Sequence, residues 1–444
     1  MKKKLMELFH ENKFHDIRNE LLKMNTVDLA QILEEADKHQ LVRIFRILPK
    51  DIAAGVFTYV SAELQQLIIE SITDKEIKEI VDELFLDDAV DFLEEMPANV
   101  VKKVLKNTDE HLRKLINQFL NYPEDSAGSI MTIEYVDLKK EMTVKDAIAH
   151  IKKTGVDRET INTCYVIDNN RKLEGVVSIR RLILSNETAV IKDILNDDVI
   201  SIKTLDDQEN AAMLFKKYDL TAMPVVDNEN RLVGIITVDD IVDIIDQENT
   251  EDIQIMAAMH PSEEEYLKTD VLTLSKHRIV WLLVLMLSAT FTGNIIKKFD
   301  DVLQSVVILA AFIPMLMDTG GNAGSQSSAL IIRGLALGEI NIKDALKVLW
   351  KEFRVGIVVG STLAVVNFLR IYLFEKIDVH IAVAVSCTTF LTIVLAKVVG
   401  GLLPIAAKSV KLDPAIMASP LITTIVDAFS LMIYFTMASW LIGL

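Results

Sequence analysis

The chain has 444 residues, half of them hydrophobic, with 47 Lys and Arg against 64 Asp and Glu. Charge is unevenly placed: Lys276 onward holds 14 basic and 10 acidic residues, leaving residues 1–275 with 33 and 54, a net −21. That excess excludes nucleic acid, whose phosphates it repels, and suits cations or a solvated surface. Cys164 and Cys387 lie in different regions and give neither a disulfide framework nor a thiolate metal cluster.

The opening MKKKLMELFHENKFH is basic but has no long apolar run behind it, so it reads as no signal peptide and as a cytoplasmic end. Six pieces follow before residue 125: VDLAQILEE, KDIAAGVFTYV, AELQQLIIESI, KEIKEIVDEL, DDAVDFLEEM and ANVVKKVLKN. Their helical apolar spacing, recurring about every 11–13 residues, predicts an all-α superhelix of short helices. YPEDSAG (122–128) is a turn-rich linker. Beyond it the chain repeats itself. YVIDNNRKLEGVVSIRRLI (165–183) aligns without gaps on PVVDNENRLVGIITVDDIV (224–242), and 130–152 matches 194–216. Each unit reads as strand, helix, strand, Asp-Asn turn, strand, helix.

These repeats resemble a pair of cystathionine-β-synthase-type (CBS) domains, regulatory α/β modules that often bind adenine nucleotides. The Ser/Thr-x-x-Asp end of such a nucleotide site survives as Thr237 to Asp240. In the first repeat the matching positions are Ser178 and Arg181, which argues against a conventional ATP site there. Next, DDIVDIIDQENTEDIQIMAAM predicts a charged helix leading to the membrane, on which Asp240/Asp243, Asp243/Asp246 and Glu248/Asp252 crowd like charges. Such density points to a divalent-ion site; the plainer alternative is a solvated face.

Five apolar segments follow, at about 279–296, 302–332, 355–374, 381–406 and 415–443, long enough to span a bilayer. Lys268, Lys276, Arg278, Arg333, Lys343, Lys347, Lys351, Arg354, Lys408 and Lys411 flank one side; Lys297, Lys298, Arg370 and Lys376 flank the other. This asymmetry predicts N-terminus inside and C-terminus outside. EINIKDALKVLWKEFR (339–354) reads as an amphipathic helix on the cytoplasmic surface, and Lys397 as snorkelling to the inner face. Asp427 is a mid-span carboxylate without a basic neighbour in sequence, a functional candidate by default. Asp413 is explained equally well as the cap ahead of Pro414. PMLMDTGGNAGSQSSALIIRG (314–334) places glycine, amide and hydroxyl groups inside an apolar run, so it must be buried in protein or line water. No G-x-x-x-x-G-K-[ST] motif, nucleophile–base pair or metal-ligand motif suggests an enzyme.

The order of parts, with PMLMDTGGNAGSQSSALIIRGLALGEI and DPAIMASPLITTIVD as its most specific motifs, resembles the MgtE family of magnesium channels along essentially the whole chain. The resemblance implies a multidomain protein: an acidic all-α N domain (1–125), α/β CBS repeats (126–192 and 193–246), a connecting helix (247–275) and an all-α five-helix membrane domain (276–444). It further implies a plasma-membrane homodimer in the lipid bilayer, with Asp427 from each subunit as the pore carboxylate. Asp413, Asn322, Gly320, Gly321 and Gly324 would be supporting positions, the glycines at a broken end of the second span. Regulatory Mg²⁺ would bind Asp87, Asp91, Asp207, Glu209, Asp219, Asp240, Asp243, Glu248, Glu251 and Asp252 and close the pore. Two other functions fit less well: a membrane-anchored nucleotide sensor, and a secondary transporter coupling a divalent cation to protons through Asp427.

Overall fold

The computed structural model describes residues 14–262, 266, 267 and 269–442. Residues 1–13, Lys268 and the end of the last apolar segment at Gly443, all used above, lie outside them. The chain forms two compact units, residues 1–245 and 246–444.

In the first unit short helices follow one another: Phe14–Leu21, Thr26–Glu34, Lys38–Ile47, Lys50–Tyr59, Ala62–Ser71, Asp74–Val81, Leu86–Glu94, Ala98–Asn107 and Glu110–Phe119. Pro49 and Pro97 stand just before two of them, where a missing N–H costs nothing. Thr73 closes a capping box with Glu76, and Asp109 accepts from the backbone of His111 and Leu112. Each helix buries one apolar face; Phe57 meets Phe92 edge-on at 4.9 Å between ring centres.

The repeats form two three-stranded sheets, β1 (Val136–Leu138), β2 (Thr163–Ile167), β3 (Leu173–Ser178) and β4 (Ile202–Lys203), β5 (Ala222–Val226), β6 (Leu232–Thr237). In each the first pair is parallel and the second antiparallel; Thr163 stands opposite Ser178 as Ala222 stands opposite Thr237. The sequence repeat is thus a structural repeat, with helices Val144–Thr154 and Gln208–Tyr218 as equivalents. Ala127, Met131, Phe215, Met223 and Ile236 share one core with the short helices, so the second repeat packs on the helical domain.

A helix Val238–Met256 runs from β6 into the second unit. The connecting helix expected over 247–275 therefore starts earlier and stops at Met256; Ala258 is left-handed, and Asp270 caps a new helix, Val271–Lys298. Among the described residues five helices are long and apolar enough to cross a membrane. The remaining four are Ile313–Ala336, Ala345–Leu369, Val379–Ser409 and Ser419–Ile442. They are called the second to fifth membrane helices below, Val271–Lys298 being the first.

Two sequence expectations change here. Residues 345–354 are not a separate surface helix but the first turns of the third membrane helix, because nothing between Ala345 and Leu369 breaks the hydrogen-bond ladder. The second helix is not broken at its glycines either: Ile313–Ala336 is continuous, and the irregular backbone precedes it as a 3₁₀ stretch, Val307–Phe312. Tyr434 Oη donates to the Leu309 carbonyl there at 2.9 Å, satisfying a group that lipid cannot.

Candidate ion pathway and acidic clusters

Glycine makes the second membrane helix thin on one side. A Cβ at Gly324 would lie 2.6 Å from Ile422 Cγ2, one at Gly321 2.7 Å from Thr423 Cγ2, and one at Gly320 2.8 Å from Thr392 Cγ2. These glycines let the fourth and fifth helices close in; regular helical angles hold throughout the segment, so close approach explains them. The opposite side is polar. Asp318, Asn322 and Gln326 recur every four residues and are all exposed on the single chain. Asp427 enters from the fifth helix, half-buried, with Oδ1 lacking a hydrogen-bond partner and with Asp318 near enough to act on it electrostatically. Lys397 does not neutralise it. That lysine is buried rather than snorkelling, and Nζ donates to Gln326 Oε1 at 3.0 Å.

At one end of this bundle Asp413 caps the turn Pro414–Met417, accepting from Ala415 N at 2.7 Å as its sequence suggested. Ser328 Oγ donates to the Met417 carbonyl at 2.5 Å, tying that turn to the second helix. The end of helix Val238–Met256 reaches the same place: Ile255 and Met256 pack with Ile332, Ala415 and Ala418. Asp252 is pushed up to about 6 by loss of hydration, then by Asp413 and Glu248. The fold thus unites Asp413, Glu248 and Asp252, while Asp243 and Glu251 are exposed along the helix.

A second concentration of charge lies in the first unit. Asp87 is only 8% exposed, and its Oδ1 has no hydrogen-bond partner. Its pKa is raised well above the usual carboxylate range by burial, then by Asp240, Asp88 and Glu159. Asp88 is pushed to about 6 by burial and then Asp240, Asp239 and Glu134, all carboxylates. Glu159 reaches about 7 through burial, Asp239 and Asp240, and its Oε2 is likewise orphaned. Asp91 also reaches about 7, by burial and then Glu94 and Asp88, although water at this exposed position screens part of the repulsion. Asp240 accepts from Thr237 Oγ1 at 2.6 Å, so the nucleotide candidate and the acidic cluster share one carboxylate.

Asp207, Glu209 and Asp219 are not drawn into one chelate. Asp207 caps helix Gln208–Tyr218, accepting from Glu209 N at 2.8 Å, and Asp219 ends that helix with φ 51°. Among the described residues no three His, Cys, Asp or Glu side chains are arranged to hold a metal ion directly. The carboxylates suit a cation that keeps its waters, as Mg²⁺ does. Sequence reasoning missed Asp88, Glu134, Glu159, Asp239, Gln326 and Glu352. Of these only Gln326 carried a signal, the four-residue spacing from Asp318 and Asn322.

Together these features define a multi-pass membrane transporter with an attached regulatory-type domain pair. A family described as "Divalent cation transporter" matches residues 313–437, the MgtE intracellular N domain matches 24–125, and the CBS domain matches 127–185 and 191–247. The chain is 34% identical over 444 residues to the magnesium transporter MgtE of Thermus thermophilus, covering 99% of this chain and 98% of that protein. It is 33% identical over 436 residues to the magnesium transporter MgtE of Bacillus subtilis, with 98% and 96% covered. A crystal structure of the cytosolic domain of the Mg²⁺ channel MgtE in complex with ATP aligns with TM-score 0.53 and 34% identity, covering 55% of this chain and all of that one. The chain belongs to the MgtE family of magnesium transporters. It is accordingly a transporter of Mg²⁺ and not an enzyme.

Proposed function

We propose that Mg²⁺ enters the cytoplasm along the face of the second membrane helix bearing Asp318, Asn322 and Gln326, with Asp427 as its principal ligand. One observation carries this reading: a polar stripe is exposed within a membrane-length helix beside a carboxylate oxygen without a partner. Lipid cannot solvate such a face, so it must meet water or a second copy of itself. A homodimer that sets two such faces around one axis meets both demands. Paired Asp427 carboxylates would hold a largely hydrated Mg²⁺ through its waters, gripping it without stripping it. Inward movement of a divalent cation gains about 4.6 kcal/mol per 100 mV, so no further energy source is needed.

Cytosolic Mg²⁺ closes the path in this reading. At low Mg²⁺ the clusters around Asp87, Asp91 and Asp240 and around Glu248, Asp252 and Asp413 repel; hydrated ions between carboxylates favour the compact, closed state. Asp207, Glu209, Asp219, Asp243 and Glu251 contribute further ligands as the domains approach. The orphaned Asp87 and Glu159 oxygens fit such a bridging ion. ATP would bind at the second repeat through Thr237 and Asp240, in line with the ATP named for the related cytosolic domain. The N domain is assigned to 1–125 and the CBS repeats to 126–192 and 193–246. The connecting helix Val238–Met256 continues out of the second repeat and the membrane domain begins with Val271–Lys298, N-terminus inside and C-terminus outside. Mg²⁺ uptake by liposomes containing Asp427→Asn tests the path: flux should fall at least tenfold while the protein elutes at its wild-type size. Near-normal uptake would sink the assignment.

A further inference from the structure

Two ionisable side chains lie buried behind the wall just described. Lys397 on the fourth membrane helix is 5% exposed and Glu352 on the third is 8% exposed. They reach consecutive residues of the second helix. Lys397 Nζ donates to Gln326 Oε1 at 3.0 Å, and Ser327 Oγ donates to Glu352 Oε2 at 2.6 Å. Lys397 and Glu352 are also close enough to act on each other electrostatically. Glycines make room for both: a Cβ at Gly401 would lie 2.8 Å from Glu352 Cγ, and one at Gly356 would lie 3.0 Å from Val394 Cα and 3.6 Å from Lys397 Cβ. A buried charge is tolerated when a counter-charge and hydrogen bonds answer it, and each residue here has both.

An ammonium group only donates, so the amide atom it holds must be oxygen. The exposed Gln326 side chain then has its NH₂ left for the open face. Hydrated Mg²⁺ turns water hydrogens outward and needs acceptors, so an amide arranged this way grips it weakly. Conduction requires weak positions beyond strong ones.

We propose that Lys397 is a positioning residue of the ion path: with its charge balanced by Glu352, it engages the Gln326 carbonyl and keeps that level of the path from becoming a tight cation site. This rests on the path following the Asp318–Gln326 face. A charge at this depth acts on a divalent ion twice as strongly as on a monovalent one, and because Lys397 and Glu352 carry opposite signs, removing one or the other shifts binding in opposite directions.

The full-length protein in liposomes provides the test, with Mg²⁺ influx measured against external Mg²⁺. Lys397→Met should lower KM about tenfold and reduce the maximal rate; Glu352→Gln should raise KM about tenfold. The double variant Glu352→Gln/Lys397→Met should return KM to within about threefold of wild type. Lys397→Gln, which retains a donor but no charge, should follow Lys397→Met. Singles that alter only the maximal rate, a double variant as perturbed as the worse single, or Lys397→Gln behaving as wild type overturns the inference alone. Normal flux in Asp427→Asn, run alongside, overturns the path and this inference together.

Discussion

Gly400→Ala probes the tightest helix crossing in the membrane unit. A Cβ at Gly400 would sit 2.2 Å from the Gly324 carbonyl oxygen, 2.9 Å from its carbon and 3.1 Å from its Cα. Ordinary contact begins near 3.4 Å, so the helices must separate by about 1.2 Å, and backbone cannot rotate away as a side chain can. Alanine gains about 1 kcal/mol in helix propensity, whereas overpacking costs about 1–3 kcal/mol. With backbone as the obstacle the upper end applies, for a net loss of about 2 kcal/mol and a melting midpoint lower by roughly 5 °C. Gly324 lies on the helix that carries Asn322, so Mg²⁺ flux should fall as well. The control is Gly293→Ala, where an added Cβ meets nothing within 4 Å; it should be neutral or slightly stabilising. Thermal unfolding in detergent, followed by loss of the monodisperse size-exclusion peak, reads both. Gly400→Ala melting at or above wild type with unchanged flux would refute the close-crossing argument.

Other consequences can be checked in parallel. Asp88, Asp91 and Glu159 have folded values of about 6, 7 and 7, above their unfolded ones, so folding takes up protons. Stability of the acidic half should therefore fall as pH rises through about 6–7 without divalent cations; millimolar Mg²⁺ should flatten that slope, and an unchanged slope in protease-resistance titrations would count against ion bridging. Neutralising Asp243, Glu248, Glu251 and Asp252 together to Asn or Gln should abolish Mg²⁺-dependent protease protection and inhibition of flux by internal Mg²⁺; wild-type midpoints would reduce the cluster to a solvated face. Gly321→Leu should impair assembly or flux, since even its Cβ meets Thr423 at 2.7 Å, and unchanged transport would mark this surface as peripheral.

Periodicity and repetition made much of this architecture legible in the sequence. Apolar spacing marked several of the short helices, the aligned segments marked both CBS sheets, and long, predominantly apolar runs marked the membrane helices, because each is a local property of ten to thirty residues. Asp427 stood out as a candidate too, since a carboxylate inside an apolar run is conspicuous without any coordinates. Contacts between distant segments were not. The glycines of 320–324 suggested irregular backbone, yet only packing against Thr423, Ile422 and Gly400 shows that they serve close approach within a regular helix. Glu352 looked like part of a surface helix until the continuous third membrane helix buried it against Ser327. Likewise Asp87, Glu159 and Asp240 come from three separate segments, and their mutual repulsion exists only once folding removes the water between them. Sequence fixes which side chains carry charge; tertiary structure decides which charges lose their solvent and what then stands beside them.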